Sequence, residues 1–270
     1  RGPWTSMSDT DLKGRVAIVT GASLGIGRAT AIALARAGAH VVVNFCSHAD
    51  AAEEVVLAIR DAGSQAIAYQ ADVADPQAVE QMVVRTVHAF GKVDIAVSNA
   101  AYSQREYFWS ADMEQFRRTV DVTMWGALHL LRASAQQMIR QGSAGAIVVV
   151  SSPHAFVPVP QSMAYNISKA ALEQMAKTAA IELSQFRIRV NIIQPGWTDT
   201  PGERRFASEE VLRSAGSSIP LGRLGTSEEM AEGILVLCDP RHAYMTGATL
   251  LIDGGITLPW WAHRGSPAPS

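Results

Sequence analysis

Three side chains in the second half of the sequence have the types and spacing for proton transfer. The segment "YNISK" places Tyr165 and Lys169 four residues apart in a predicted helix, so both lie on one helix face. A free phenol has a pKa near 10, too high for a base at neutral pH, and a nearby ammonium lowers that pKa by stabilising the phenolate. Ser152, at the end of a predicted strand, can hydrogen-bond a substrate oxygen. These three residue types suit the removal of the proton of a hydroxyl group while a hydride leaves the carbon that bears this hydroxyl.

The same residues are open to two other interpretations. A tyrosine and a lysine at this spacing are common on ordinary helix surfaces. Ser152 and His154 are close enough in sequence to suggest a hydrolytic serine, but the Gly-x-Ser-x-Gly turn that exposes such a nucleophile is absent around Ser152. His154 is only two residues away, which places it badly as a base for Ser152. We therefore expect proton transfer by Tyr165.

The segment "TGASLGIG" (20–27) has the composition of a phosphate-binding loop. Gly21 permits a sharp turn, Gly25 lets the backbone approach a pyrophosphate, and Gly27 lets helix and strand pack closely. The free amides at the start of the helix then face the phosphates. A tight turn without a ligand is the alternative. The position between the first predicted strand and the first predicted helix favours a dinucleotide site.

The elements that must position these residues alternate along the chain. Apolar runs predict strands at 15–21, 40–45, 66–72, 93–99, 146–152, 188–194 and 248–253. Helices are predicted between them, including 26–37, 51–62, 113–141 with a break near Gly126, and 164–186. Strands without polar alternation are buried on both faces, as in a parallel sheet covered by helices. We therefore predict an α/β fold, a single doubly wound (Rossmann) domain with a seven-stranded parallel sheet in the order 3-2-1-4-5-6-7.

Length and composition fit one large domain and argue against several classes of function. The chain has 270 residues and a formal net charge of −2, which argues against nucleic-acid and membrane partners. No apolar run reaches the roughly 20 residues needed to span a bilayer. Cys46 and Cys238 form no metal-binding or redox motif, so we expect no metal site. Sparse cysteines also favour a reducing, cytoplasmic location.

The domain is expected to occupy residues 7–262. Residues 1–6, "RGPWTS", are interpreted as a cloning remnant, and the polar residues before the first strand do not resemble a signal peptide. Residues 263–270 are expected to form a disordered tail. The segment 198–218 contains no clear strand and is rich in small and polar residues, which predicts a mobile lid.

The Gly-x-x-x-Gly-x-Gly spacing after a threonine resembles the short-chain dehydrogenase/reductase family. Other motifs agree in order: "ADV" (71–73), "NAA" (99–101) for Asn-Ala-Gly, "YNISK" (165–169), "PGWTDT" (195–200) and "IDGG" (252–255). The resemblance covers about residues 12–258 and implies an enzyme, an NAD(P)-dependent oxidoreductase acting on CH–OH donors, in which nicotinamide carries the hydride. Expected cofactor contacts are Gly21, Ser23, Leu24, Gly25, Ile26, Gly27, Asn44, Cys46, Ser47, Asp72, Val73, Asn99, Ala100, Pro195, Gly196, Thr198 and Thr200.

The resemblance also implies the catalytic roles. Tyr165 is expected to be the general acid/base, Lys169 to lower the pKa of Tyr165 and hold the nicotinamide ribose, and Ser152 to place the substrate oxygen. Alignment on Gly126 puts Thr123 where the family often has an Asn that supports a water of the proton relay. Because Thr123 has a single hydroxyl, we expect it to hold that water less well.

The end of the second predicted strand bears on the choice between NAD and NADP. A carboxylate there accepts a hydrogen bond from the ribose of NAD, and an arginine there binds the 2′-phosphate of NADP. The segment "VVVNFCSHAD" has Asn44, Cys46 and Ser47 instead, and Leu24 replaces a frequent basic residue in the glycine loop. Since no acid repels the phosphate, we expect weak discrimination, with NADP used at least as well as NAD. The alternative is that NAD binds better, with Asn44 serving its ribose.

The loops after the predicted strands indicate a polar small-molecule substrate. "AAYSQREYFWS" follows Asn99, and Gln104, Arg105 and Glu106 can bond hydroxyls. We expect substrate contacts from Gln104, His154 and Trp197. "SSPH" and "DGGITLPWW" are similar to the glucose 1-dehydrogenase branch of the family, which favours a sugar or other polar secondary alcohol.

Two alternatives to that function stay open. One is a 3-ketoacyl thioester reductase, although Arg117 and Arg118 are expected to be solvated rather than to contact an acyl carrier. The other, of a different class, is a non-catalytic dinucleotide-sensing protein, which the intact Ser152, Tyr165 and Lys169 disfavour. Trp260 and Trp261 follow the last strand and are costly to leave in water. Together with the resemblance, they predict a homotetramer.

Overall fold

Seven strands form one parallel sheet in the computed structural model, which describes residues 11–258. The sheet order is 3-2-1-4-5-6-7, and all neighbouring pairs are parallel. The strands are β1 (Val16–Val19), β2 (His40–Phe45), β3 (Ala66–Gln70), β4 (Ile95–Ser98), β5 (Gly145–Val150), β6 (Ile188–Pro195) and β7 (Thr249–Ile252). The fold and strand order predicted from the sequence are confirmed, and each strand matches its predicted bounds to within two residues.

Eight α-helices connect these strands within residues 11–258. They are α1 (Gly25–Arg36), α2 (Ala49–Asp61), α3 (Pro76–Phe90), α4 (Met113–Val120), α5 (Gly126–Arg140), α6 (Met163–Leu183), α7 (Glu209–Ser217) and α8 (Ser227–Cys238). A turn of π-helix, Asp121–Trp125, separates α4 from α5, so the predicted break near Gly126 is confirmed. A Cβ on Gly126 would lie 2.5 Å from Val73 Cγ2, which explains why glycine stands where this helix crosses the loop after β3.

The sheet has a hydrophobic core on each face. Ala17 and Val19 of β1 face the core that α1, α2 and α8 cover, whereas Ile18 faces the core under α3, α5 and α6. All three side chains are fully buried, and a buried side chain of the size of Ile18 contributes roughly 1.5–3 kcal/mol relative to exposure. Burial on both faces accounts for the unbroken apolar runs in the sequence.

The carboxyl ends of the strands gather the polar residues at one edge of the sheet. The sheet order reverses between β1 and β4, which are paired neighbours leading to helices on opposite faces. Such a reversal leaves a crevice beyond the strand ends, the usual ligand position in folds of this kind. The segment between β6 and α8 lies beyond the same edge. It contains a helical turn, Glu203–Arg205, and α7, which Ser208 caps by accepting a hydrogen bond from Val211 N.

Several sequence expectations fall on residues that the structure does not describe. Residues 1–6, the tail 263–270 and the pair Trp260 and Trp261 all lie outside residues 11–258. Across the described chain, no helix combines the length and apolar content that crossing a bilayer requires.

Candidate active site

The glycine loop between β1 and α1 leaves room for a group to approach its backbone. Gly21 and Gly25 adopt φ values of +61° and +54°, a region that favours glycine. A Cβ on Gly25 would lie 3.4 Å from the side chain of Thr200 and would occupy the space between the loop and the segment after β6. No side chain caps the start of α1, so its first amides are available to a phosphate. The loop therefore fits a dinucleotide pyrophosphate.

Asn99, which follows β4, holds the glycine loop by hydrogen bonds to its backbone. Its Nδ2 donates to Thr20 O at 2.9 Å and to Gly21 O at 3.2 Å. Thr20 Oγ1 accepts hydrogen bonds from the backbone N–H groups of Asn99 and Ala100. A Cβ on Gly27 would collide with Gly21 O and with Asn99 Nδ2. The motifs around residues 20–27 and 99–101 thus form one interlocked unit.

Asn44, a predicted cofactor contact, is buried in backbone hydrogen bonds. Its Nδ2 donates to Tyr69 O at 3.3 Å and to Ala71 O at 3.1 Å, and its Oδ1 accepts from Gly21 N at 3.2 Å. Both amide protons are thereby used. Asn44 fastens the glycine loop to β2 and to the end of β3, and the alternative in which it serves the ribose of NAD loses its support.

Neutral and exposed side chains surround the end of β2. Cys46, Ser47 and Leu24 are all exposed. Ser47 Oγ lies 3.2 Å from His48 Nδ1, and Gln70 donates to the carbonyl of Cys46 at 2.9 Å. These groups neither repel a 2′-phosphate nor bind it with a formal charge.

The motif 71–73 is tied to α4 and to the start of α5. Asp72 Oδ2 forms an ion pair with Arg118 at 2.7 Å, and its Oδ1 accepts from Ala74 N at 3.0 Å. Val73 is buried against Gly126. Arg118, which the sequence predicts to be solvated, is therefore partly buried and paired with a predicted cofactor residue.

Helix α6 presents Tyr165 and Lys169 on one face, as the spacing predicts. The Lys169 Nζ lies 5.1 Å from the centroid of the Tyr165 ring and donates to Val150 O, at the end of β5, at 2.7 Å. Lys169 is only 2% exposed. A fully buried ammonium held by one carbonyl is an unusual group, and such groups are concentrated in active sites.

Burial dominates the electrostatics of this pair. It lowers the pKa of Lys169 to about 7, and the negative charge of Glu173, one turn further along α6, opposes that shift. Burial also raises the pKa of Tyr165 well above its usual value. The carboxylate of Glu203 adds to that rise, and Arg105 opposes it. In the protein alone the phenol is thus protonated at neutral pH, and added positive charge is needed to ionise it.

Ser152 and His154 follow β5, and the His154 ring contacts the Tyr165 ring. Ser152 is nearly buried, and its Oγ accepts a hydrogen bond from His154 N at 3.3 Å. The His154 ring stands edge-on to the Tyr165 ring, 5.1 Å between centroids, and burial lowers the pKa of His154. Asn166 Nδ2 donates to Val159 O, which directs Asn166 Oδ1 to His154 Nδ1 at 2.7 Å. His154 Nδ1 therefore carries the proton, and neutral His154 offers Nε2 as an acceptor.

Thr123, the predicted relay residue, has a different set of partners. It is buried in the π-helical turn, where its Oγ1 donates to Tyr102 O at 2.9 Å and accepts from Tyr102 N at 3.0 Å. Because its one proton is used, the hydroxyl cannot donate to a relay water as well. Thr123 instead fixes the start of the loop after β4, which carries Gln104 and Arg105.

The predicted substrate residues sit on loops around the same edge. Gln104 Nε2 donates to Tyr102 Oη at 2.8 Å, and Gln104 lines a shallow, open depression together with Gln115 and Met163. Trp197 Nε1 donates to Glu203 Oε2 at 3.2 Å. Gly196 lies against Asp253, and Thr198 Oγ1 donates to Gly196 O at 3.1 Å. Thr200 Oγ1 accepts from Glu203 N at 3.2 Å and so sets the position of Glu203.

Two carboxylates near the catalytic pair were not predicted from the sequence. Glu173 follows Lys169 by four residues, a spacing that could have identified it in the way that Tyr165 and Lys169 were identified. The charge of Glu203 acts on Tyr165 because of the path that the segment after β6 takes. The sequence contains no pattern that predicts this path.

Metal-binding geometry is absent from residues 11–258, where no group of three or more His, Cys, Asp and Glu side chains could hold an ion. Cys46 and Cys238 are both free thiols, the first exposed and the second buried.

Known proteins resemble this chain over most of its length. A family model described as enoyl-(acyl carrier protein) reductase matches residues 21–257. L-rhamnose 1-dehydrogenase (NAD(P)(+)) of Sphingomonas sp. (strain SKA58) is 40% identical over 246 residues, which cover 91% of this chain and 97% of that protein. The 3-oxoacyl-[acyl-carrier-protein] reductase of Synechocystis sp. (strain ATCC 27184 / PCC 6803 / Kazusa) is 36% identical over 250 residues, 92% of this chain and 99% of that protein.

A solved structure agrees with the fold as well. The short-chain type dehydrogenase/reductase from Mycobacterium marinum superimposes with a TM-score of 0.89 at 35% identity, covering 94% of this chain and 100% of that one. The chain belongs to the short-chain dehydrogenase/reductase family.

Proposed function

We propose that the protein transfers a hydride between a nicotinamide dinucleotide and the carbinol or carbonyl carbon of a sugar or other polar secondary alcohol. The observation that carries the proposal is the buried Lys169 ammonium beside the Tyr165 ring, with Ser152 at the adjoining strand end. Burying the Lys169 ammonium costs free energy of folding, and a role in proton transfer explains why the chain keeps a lysine there.

The protein's own groups would handle the proton. In oxidation Tyr165 accepts the proton of the substrate hydroxyl, and Lys169 stabilises the phenolate that this requires. Ser152 donates to the substrate oxygen and fixes its position. Nicotinamide, when bound, supplies the hydride acceptor. In reduction Tyr165 returns the proton to the developing alkoxide.

The dinucleotide would be held by the glycine loop, the motif 71–73, Asn99, Ala100 and the segment 195–200. We propose weak discrimination between the two dinucleotides, with NADP used at least as well as NAD. The neutral, exposed Cys46 and Ser47 support this choice, because nothing at the end of β2 repels a phosphate. The relative named for both NAD and NADP is consistent with it.

The polar loop after β4 and the L-rhamnose relative support a sugar or polyol as the substrate. The 3-oxoacyl relative keeps a 3-ketoacyl thioester as the second candidate. The deciding experiment is a panel of L-rhamnose, D-glucose, sorbitol and acetoacetyl thioester, each with both dinucleotides, monitored by nicotinamide absorbance at 340 nm. Turnover of a sugar or of sorbitol supports the proposal, turnover of the thioester alone supports the second candidate, and absence of turnover with all four compounds contradicts both.

We propose that the protein is a cytoplasmic homotetramer. Trp125 and Ile167 remain 45% and 49% exposed in the single chain, and large apolar side chains of this kind are candidates for burial between subunits. Two unpaired thiols suit a reducing compartment. Light scattering tests the assembly, and a mass near the 28.9 kDa of one chain at micromolar concentration contradicts it.

A further inference from the structure

Glu203 and Arg105 form a charged bridge across the mouth of the candidate active site. Arg105 belongs to the loop after β4, and Glu203 to the helical turn after β6. The Arg105 Nη2 lies 2.9 Å from Glu203 Oε2, and the Arg105 guanidinium lies 4.4 Å from the centroid of the Phe206 ring. The two loops on opposite sides of the crevice are therefore joined by one ion pair.

Backbone pairing places the bridge beside the start of α6, because Glu106, the neighbour of Arg105, donates its N–H to Gln161 O at 2.8 Å, four residues before Tyr165. The charges of Glu203 and Arg105 both shift the pKa of Tyr165 and that of His154. Trp197 donates to Glu203 Oε2 from the start of the same loop. Glu203 is therefore positioned from three directions, by Arg105, by Trp197 and by Thr200, which receives its backbone N–H.

Two acceptors in this part of the site have no donor among the described residues. Glu203 Oε2 takes both protein donors, and among the described residues Glu203 Oε1 has none. His154 offers the acceptor Nε2, because Nδ1 is bonded to Asn166. Glu203 is 29% exposed in the single chain, so water can bond its free oxygen until a ligand covers it. A ligand that displaces this water without supplying a donor leaves the acceptor unpaired, which costs free energy. A ligand that brings donors of its own is therefore favoured.

Hydroxyl groups meet this requirement, and an acyl chain does not. A ketoacyl thioester chain has no O–H to give to Glu203 Oε1 or to His154 Nε2. A cationic ligand is disfavoured as well, since Arg105 already neutralises Glu203. We propose that Glu203, held by Arg105 and Trp197, binds a substrate hydroxyl next to the reacting carbon and so selects polyhydroxylated substrates. This inference rests on the proposed oxidoreductase function.

The test compares the wild type with Glu203→Gln on two probes, a sugar (L-rhamnose or D-glucose, whichever is turned over faster) and acetoacetyl thioester, at a pH where rates have levelled. Glutamine keeps the size of the side chain and one acceptor oxygen. Hydrogen bonds to charged groups are worth about ten- to a hundred-fold. We expect kcat/KM for the sugar to fall by that factor, mainly through a higher KM, while the thioester value changes less than about three-fold.

Glu210→Gln is the matched control, because Glu210 is exposed on α7 in the same segment and should leave both probes unchanged. Arg105→Met is a second variant in case Glu203→Gln does not fold, and it should also lower kcat/KM for the sugar selectively. Sugar turnover that Glu203→Gln leaves unchanged overturns the inference but leaves the oxidoreductase function intact. So does a wild type that uses only the thioester. A wild type inactive on the whole panel overturns the proposed function itself.

Discussion

The charge of Lys169 should depend on Glu173, which the substitution Glu173→Gln tests. Glu173 is largely buried one turn after Lys169, and its carboxylate is held by Gln194 at 2.7 Å and by Thr249 at 3.1 Å. Burial has already brought the pKa of Lys169 to about 7. Removing the carboxylate's charge should lower that pKa further, so that Lys169 is largely neutral at pH 7.

The size of this change follows from the helix spacing. Side chains four residues apart on a helix lie about 6 Å from one another, and two unit charges at that distance interact by about 3 kcal/mol at an effective dielectric constant of 20. This energy corresponds to a change of about two in the pKa of Lys169. Lys177 lies 3.7 Å from Glu173 and cancels part of the carboxylate's effect. We therefore expect the pKa of Lys169 to fall by about one to two units.

The assay is an NMR titration of protein labelled with ¹³C at lysine Cε, with the Lys169 signal assigned by its loss in Lys169→Met. The matched control is Glu182→Gln, which removes the same charge from an exposed position near the end of α6. The signal of Lys169 should titrate at lower pH in Glu173→Gln and at the wild-type pH in Glu182→Gln. Equal midpoints in all three proteins would refute the role given to Glu173.

Three further substitutions test the supports of the site. Gly27→Ala should destabilise the fold by about 1–3 kcal/mol and weaken NADPH binding, since its Cβ meets Gly21 O; an unchanged thermal melt contradicts this. Cys46→Arg should shift the kcat/KM ratio about ten- to a hundred-fold towards NADP, and a wild-type preference for NAD of a hundred-fold or more contradicts our account of β2. Thr123→Val should lower the free energy of unfolding by about 1–3 kcal/mol, because it loses both hydrogen bonds to Tyr102. Thr123→Asn can remake both bonds and should keep activity. Equal stability of the two variants contradicts this.

The sequence predicts the fold because the fold depends on local patterns. Unbroken apolar runs such as 146–152 occur where a strand is buried on both faces, and the helices between them force parallel strands. The break before Gly126 was also visible, since a glycine inside a helical pattern indicates a close approach. Bounds such as those of α6 differed by up to three residues, because hydrogen bonding at helix ends decides them.

The placement of Tyr165 beside Lys169 was predictable because both residues lie on one helix with a fixed spacing. Tyr165 and Lys169 needed only the geometry of α6. Asn44 is predicted as a cofactor contact from its place at the end of β2, whereas its hydrogen-bond partners, the backbone of residues 21, 69 and 71, belong to other elements. Thr123 illustrates the same limit, since its bonds to Tyr102 cross between a helix and a loop.

Loop residues were the least predictable part of the site. The ion pair of Arg105 with Glu203 joins positions 98 residues apart, and no periodicity relates them. Gln104 stays a predicted substrate contact, and its bond to Tyr102 Oη depends on the path of the loop. Contacts between loop residues therefore cannot be predicted from the sequence pattern alone.

The measurement that tests the central claim most directly is the substitution Tyr165→Phe. It removes only the hydroxyl that is proposed to transfer the proton, and such groups contribute about 10²- to 10⁴-fold to the rate. Turnover of the best substrate of the panel should fall by at least about 100-fold, while NADPH still binds with its wild-type affinity in a fluorescence titration. A variant that keeps most of its activity would contradict the role of Tyr165 and the mechanism built on it.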